Sequence, residues 1–254
     1  MHTRARLDQA SLDALRARMD EYEKKHKPIA FAYGGDGTVL DVVRATGGRR
    51  AVIPVRDYGL CGRHAGYLES ILDGTLDRSL KLTLCPFVEY FLPGAGWRDR
   101  GIAEVAVKNV DPTCALRFDF LVDGKPYMKN VVADGIVAST AYGSTGYFKS
   151  VARCVFRADA LGVAFIAPTQ GVNNVVLDGA SVVEVEFVRP AEVVVTADKS
   201  RRTAEVRAGD RVRIGRTPDH VSVFGLDEFH CQECRALRHS IVERGVAVQD
   251  QYAV

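Results

Sequence analysis

Along this chain of 254 residues, apolar and polar positions follow two textures. In the first part they recur at helical spacing or gather in short unbroken runs; from Leu80 onward they alternate. Ser11 is placed to cap a helix reaching about Lys25, with Leu12, Leu15, Met19 and Tyr22 on one stripe. Lys24, Lys25, His26 and Lys27 close it with positive charge, which suits a helix C-terminus, and Pro28 stops it. Ile29–Tyr33 then reads as a buried strand, residues 34–37 as a glycine turn, and residues 39–44 as the core of a helix ending near Gly47 and Gly48. Ala51–Val55 is a second buried strand, so this part predicts a parallel βαβ unit. A polar, glycine-punctuated loop follows over residues 58–68, and residues 67–72 begin a short helix.

Alternation marks strands at residues 80–84, 116–122, 183–187, 193–196, 204–206, 211–214 and 221–224, and Asp123-Gly124 is a hairpin dipeptide. Short strands separated by turn residues predict an antiparallel sandwich. Residues 231–243 return to a helical pattern. The expected fold class is α/β plus all-β. An α/β domain covers residues 1–98 and a β-sandwich residues 99–228. A tail, 229–254, packs back on the first domain. The boundary is expected in the turn-rich stretch Pro93 to Trp97.

Composition narrows the function classes. Charged residues make up 26% and hydrophobics 47%, ordinary globular usage with ample material for a core. The net charge of +2 comes with no dense basic block, so nucleic-acid binding has no electrostatic support. No apolar run approaches the ~18 residues of a membrane span. The N-terminus is charged and helical in pattern, unlike a signal peptide, and a cytoplasmic location is expected. The six cysteines are scattered, which is not a disulfide scaffold in a chain of this size. Cys231 and Cys234, preceded by His230, have metal-like spacing. A closed zinc site needs about four ligands and no second such pair exists, so two reduced thiols are expected and no metal ligand is assigned. His64 reads either as a ligand or base, or as a solvated loop side chain.

Two stretches carry candidate chemistry. In Gly34-Gly35-Asp36-Gly37-Thr38, three glycines open the backbone to a phosphate just where a helix begins and offers free N–H groups. Asp36 would repel that phosphate and suits a hydroxyl or a metal; the alternative is a tight turn in which Asp36 merely caps the helix. The second stretch opens at Asp134-Gly135, runs through a buried strand, and reaches Ser139, Thr140, Ala141, Tyr142, Gly143, Ser144, Thr145, Gly146 and Tyr147. Its hydroxyls and backbone suit a purine edge or a ribose, and its tyrosines suit a base or nicotinamide face. The alternative is a glycine–serine turn into a helix over residues 147–155.

Together, in this order and spacing, the two stretches resemble the two signatures of the NAD kinase family. GGDGT is shared with the wider superfamily that includes lipid kinases and phosphofructokinases. Weaker similarities are Gly66-Tyr67-Leu68 to the family's LGFL loop, Ala167-Pro168-Thr169 to its TPI segment, and Thr196-Ala197-Asp198 to a strand leading to Asp-Gly, so the resemblance spans about residues 28–226. It implies a Rossmann-like N-terminal α/β domain and a β-sandwich with NAD between them. ATP with magnesium, or polyphosphate, would phosphorylate the adenosine 2′-hydroxyl. It implies that Asp36 is catalytic beside that hydroxyl, that Asp134 lies near the nicotinamide, and that Thr145, Gly146, Tyr147 and Ser150 line the dinucleotide site. Gly35, Gly37, Thr38, Gly66, Tyr67, Glu104 and Tyr142 complete the expected substrate-binding set, and a homo-oligomer, dimer or tetramer, is implied. The chain also departs from the pattern. Ala103 replaces the Asn of an Asn-Glu pair, Ala141 the motif proline, Tyr142 a small residue and Gly146 an alanine. Lys199 follows Asp198 in place of glycine, and the first strand is missing. These departures motivate a non-catalytic dinucleotide sensor as a second reading. A diacylglycerol-type lipid kinase is a third, but its Asn-Glu segment and PxGTxND loop do not follow Thr38.

Overall fold

The computed structural model describes residues 5–6, 9–25, 28–56, 58–59, 80–231 and 233. They divide into two compact units. One holds the residues up to Leu84 together with those from Ser222 onward; the other is the continuous stretch Cys85–Val221. The division therefore falls before the expected position near residue 98. The reason is a hairpin: Val88 pairs with Gly101 and Leu92 with Trp97, so the turn-rich residues 93–96 close two strands of the second unit and do not link domains.

The first unit runs β1 (Ala5–Arg6), α1 (Gln9–Lys25), β2 (Ile29–Tyr33), α2 (Asp36–Thr46), β3 (Ala51–Val55) and β4 (Tyr58–Gly59). A two-residue strand, paired antiparallel with β4, precedes the helix, which starts at Gln9 and not at Ser11. β2 and β3 are parallel from Ile29↔Ala51 to Tyr33↔Val55. The α1 stripe works as its spacing requires. Leu15 and Met19 are buried with Phe31, Ile53 and Val55, and Tyr22 meets Phe31 edge-on at 5.8 Å. α2 buries Val39 and Val43, and left-handed Gly47 ends it, with the N–H groups of Gly47 and Gly48 bonding Arg44 and Val43.

The second unit is a β-sandwich. Its strands are β5 (Leu82–Leu92), β6 (Trp97–Gly101), β7 (Glu104–Asn109), β8 (Leu116–Val122), β9 (Lys125–Ala133) and β10 (Gly135–Ser139), then, after α3 (Tyr147–Ala152), β11 (Ala160–Ile166), β12 (Val175–Asp178), β13 (Val182–Phe187), β14 (Ala191–Ala197), β15 (Ser200–Val206) and β16 (Arg211–Phe224). One sheet has the order β12-β11-β10-β7-β14-β15, the other includes β16-β13-β8-β9, and every neighbouring pair named here is antiparallel. Alternating residues of both sheets share one core: Val105 and Val107 of β7 and Val193 and Val195 of β14 with Phe118 and Phe120 of β8 and Val183 and Val185 of β13. Phe120 of one sheet meets Phe165 of the other edge-on at 5.2 Å. The stretches 211–214 and 221–224 are one strand, β16, and not two. Its middle, residues 215–220, is partly or fully exposed, so the backbone stays extended where the apolar alternation lapses. The last described element, α4 (Leu226–Phe229), belongs to the first unit. Among the described residues no helix is long and apolar enough to cross a membrane.

Asp134-Gly135 is the corner where the chain leaves β9 in one sheet for β10 in the other. Gly135 has φ +147°, and a Cβ there would stand 1.9 Å from the carbonyl oxygen of Val107 on β7. Neither backbone can retreat without breaking the β7–β10 ladder. Gly135→Ala is expected to lower unfolding free energy by about 2–4 kcal/mol. Urea denaturation checks this; a loss below 1 kcal/mol would mean the corner relaxes freely.

Candidate functional site

In the first unit, parallel β2 and β3 end side by side, and the N–H of Gly34 donates to Val55 O at 2.7 Å. The chain then turns at Gly34, whose φ of +145° and contact with Thr38 leave no room for a side chain. Asp36 follows as the first residue of α2, with Gly35 as a cap that supplies no side chain. Its carboxylate is more than half exposed and has two partners. His230 Nε2 lies 2.7 Å from Oδ1, and Arg56 Nη2 donates to Oδ2 at 3.3 Å. Arg56 directly follows β3. Its Nε donates to Phe229 O at 3.1 Å, and its Cζ stands 4.0 Å above the Phe229 ring. Burial pushes the Asp36 carboxyl up. The hydrogen bond to His230 and the charges of Arg56 and His230 outweigh that and bring it down to about 2. Asp36 is thus an ionised carboxylate at any ordinary pH. His230 entered the sequence reading only through the cysteine spacing, and Arg56 not at all: it lies in no motif.

In the second unit, β7 and β10 are neighbours, with Glu104 opposite Ser139. Asp198, at φ 50° between β14 and β15, accepts backbone N–H bonds from Ile102 at 2.8 Å, Ala103 at 2.9 Å and Glu104 at 3.0 Å. The carbonyls of Ile102 and Ala103 hold the motif loop. Thr140 Oγ1 donates to Ile102 O at 2.5 Å, and Ser139 Oγ and Thr140 N donate to Ala103 O. Ser144 Oγ donates to Phe156 O at 2.8 Å. Ser139, Thr140 and Ser144 are buried, so their hydroxyls build the loop and do not face a ribose. Thr145, Gly146 and Ser150 are exposed, while Tyr142 and Tyr147 are half-buried. Lys108 Nζ stands 5.8 Å from the Tyr147 ring.

Glu104 is half-buried against the start of α3, and its Oε2 is buried without a hydrogen bond. Burial, then the like charge of Asp198, raise its carboxyl to about 7, against the pull of the Phe148 and Tyr147 amides. A carboxyl of this kind can present a proton or a charge to a ligand near neutral pH.

The structure gathers Gly35, Asp36, Gly37 and Thr38 in one loop, and Glu104, Tyr142, Thr145, Gly146 and Tyr147 around another, with Ser150 one turn along α3. Asp134 does not join them. It precedes β10 at the end opposite Ser139, five residues away, about 16 Å at the usual strand rise. There Asn109 Nδ2 approaches its Oδ1 at 3.4 Å. Gly66, Tyr67, His64 and Cys234 lie outside the described residues. Among the described residues no three His, Cys, Asp or Glu side chains gather to hold a metal.

Comparisons with known proteins bear on both units. Residues 103–225 match the model of the ATP-NAD kinase C-terminal domain. An NAD kinase of Caldicellulosiruptor bescii is 30% identical over 197 residues, 71% of each chain. One of Hyphomonas neptunium is 27% identical over 242 residues, 91% of this chain and 92% of that one. Among solved structures, an Archaeoglobus fulgidus NAD kinase in complex with ATP superposes with a TM-score of 0.61 at 18% identity, covering 85% of this chain and 92% of its own.

The environment of Glu104 sets a pH dependence. Between about pH 4.5 and 7 the folded chain keeps a proton that the unfolded chain releases, so stability falls as pH rises through that window. Glu104→Gln removes this term. The variant is expected to be more stable than the parent by about 1–3 kcal/mol at pH 8, with the gap closing towards pH 4.5. Urea titrations at both pH values measure it; a gap independent of pH would contradict the assignment.

Proposed function

The chain belongs to the NAD kinase family, and on that premise we propose that it transfers the terminal phosphoryl group of ATP to the adenosine 2′-hydroxyl of NAD, giving NADP and ADP. The observation that carries this reading is Asp36, an ionised carboxylate at the head of α2 in the glycine loop, held by Arg56 and His230. In the step, the 2′-oxygen forms a bond to the terminal phosphorus while the bond from that phosphorus to the bridging oxygen of ADP breaks. Asp36 accepts the hydrogen bond of the 2′-hydroxyl and orients its oxygen in line. The proton leaves through the Asp36–His230 pair to water. A carboxylate with so low a pKa is a weak base. It suffices where the transition state is loose, because the attacking hydroxyl then gives up its proton late and positioning dominates.

The second unit is assigned dinucleotide binding, through Glu104 and Tyr142 with Thr145, Gly146, Tyr147 and Ser150. Ala103 offers no polar side chain there, and the neighbouring Tyr142 is assigned a stacking role against the ligand. Magnesium is proposed to enter with ATP as part of the donor. Polyphosphate is carried as a second donor. A dimer or tetramer is part of the proposal. Asp134 lies too far along β10 to serve the loop of its own chain, and a second copy would supply it.

Asp36→Asn keeps shape and removes charge. NADP formation is expected to fall at least about a hundredfold, with NAD binding nearly unchanged and the melting temperature lowered by only a few degrees as the partners of Asp36 lose its charge. Near-parental turnover would reduce Asp36 to a turn residue. Because Asp36 stays ionised to about pH 2, an acid limb of kcat/KM above pH 5 is not expected from it. Asp134→Ala is expected to weaken NAD more than AMP in calorimetry. Equal losses would return Asp134 to the sheet corner alone.

A further inference from the structure

Arg56 lies outside both motifs, and nothing in the proposed reaction has yet used it except as a partner of Asp36. Its position follows from the fold. β3 is parallel to β2 and ends level with it, so the next residue emerges beside the glycine loop. The guanidinium is then fixed at three points. Nε donates to Phe229 O, the plane lies on the Phe229 ring, and Nη2 donates to Asp36 Oδ2. These contacts use Nε, one face and one terminal nitrogen. Among the described residues the other nitrogen, Nη1, has no hydrogen-bond partner. It lies 3.9 Å from the point a Cβ on Gly35 would occupy, over the open backbone of the loop.

Exposed ion pairs contribute little to stability and lose rotamer freedom. Arg56 is different: its side chain is only 18% exposed, stacked and hydrogen-bonded, while Asp36 is 56% exposed. An arginine held this firmly, with one donor left over a glycine loop, is arranged to meet an anion. It also answers an electrostatic problem of the loop, where a carboxylate stands in the place a phosphate must approach. Guanidinium binds carboxylate and phosphate through separate nitrogens, stays charged, and keeps a planar fork that lysine lacks.

We propose that Arg56 is the donor-binding residue of this loop, with Nη1 contacting the terminal phosphoryl group of a polyphosphate chain while Nη2 keeps Asp36 beside it. This rests on the phosphotransfer reading above and adds the group that receives the donor. ATP and inorganic polyphosphate share the chemistry, and both would use it.

The test has a binding arm and a kinetic arm, on the full chain. Calorimetry with inorganic tripolyphosphate, which needs no turnover, compares the parent with Arg56→Gln and Arg56→Lys. The parent is expected to bind and Arg56→Gln to lose at least about tenfold in affinity, the scale of a charge-assisted hydrogen bond. Arg56→Lys is expected to fall between them. In initial-rate assays the KM for ATP and for polyphosphate should rise at least about tenfold in Arg56→Gln while the KM for NAD stays within about twofold. Should Arg56→Gln not fold, Arg56→Lys decides, with an expected rise of at least about threefold in donor KM alone. Unchanged tripolyphosphate affinity and donor KM in the folded variants would overturn the proposal and leave Arg56 as a clamp on Asp36. A parent that binds tripolyphosphate through Arg56 yet makes no NADP would support the phosphate contact and sink the kinase reading instead.

Discussion

Much of the second unit's candidate site hangs on one carboxylate. Asp198 accepts three consecutive backbone N–H groups, from Ile102 to Glu104, and so fixes the start of β7. Charge-assisted bonds of this kind are stronger than neutral ones. The carbonyls of Ile102 and Ala103 then hold Ser139 and Thr140, and with them the loop that carries Tyr142 and Gly146. One side chain thereby sets the backbone on which Glu104 and the loop are placed. It also holds a negative charge close enough to Glu104 to help keep that carboxyl protonated near neutrality.

This scaffold explains why the chain tolerates its departures from the family pattern. At residue 103 it is the backbone that is needed, as donor to Asp198 and acceptor from Ser139 and Thr140; the side chain carries none of this. Alanine in place of asparagine removes a polar group and leaves the frame standing. At 198–199, Ala197 pairs with Ser200 across a two-residue turn. Asp198 itself takes the positive φ, which aspartate tolerates better than most residues. Lysine can follow it where glycine is usual.

What the sequence made legible is the part governed by local pattern. The runs Ile29–Tyr33 and Ala51–Val55, the alternation of Leu116–Val122 and the Asp123-Gly124 turn all fall where periodicity put them. β9, β11 and β12 escaped. β9 is exposed over most of its length, carries Lys125, Lys129 and Asn130 and has register shifts against β8, and β11 is a continuous apolar run without alternation. The glycine loop and Glu104 could be found from motif text. Arg56 and His230 could not, because their roles arise from strand ends and a returning segment brought together across 173 and 194 residues of sequence. The hydroxyl-rich loop misleads in the opposite way. Three of its hydroxyls satisfy backbone carbonyls, as buried polar groups must.

The split of the first unit has a consequence during synthesis. The sandwich, residues 85–221, is continuous and can complete its core while the chain is still growing, since domains fold as units as they emerge. The glycine loop is made early but must wait. Until residues 229 and 230 leave the ribosome, Asp36 has no imidazole beside it and Arg56 has no aromatic platform to lie on. A nascent chain that has not yet exposed residues 229 and 230 therefore carries the glycine loop in an unfinished electrostatic state.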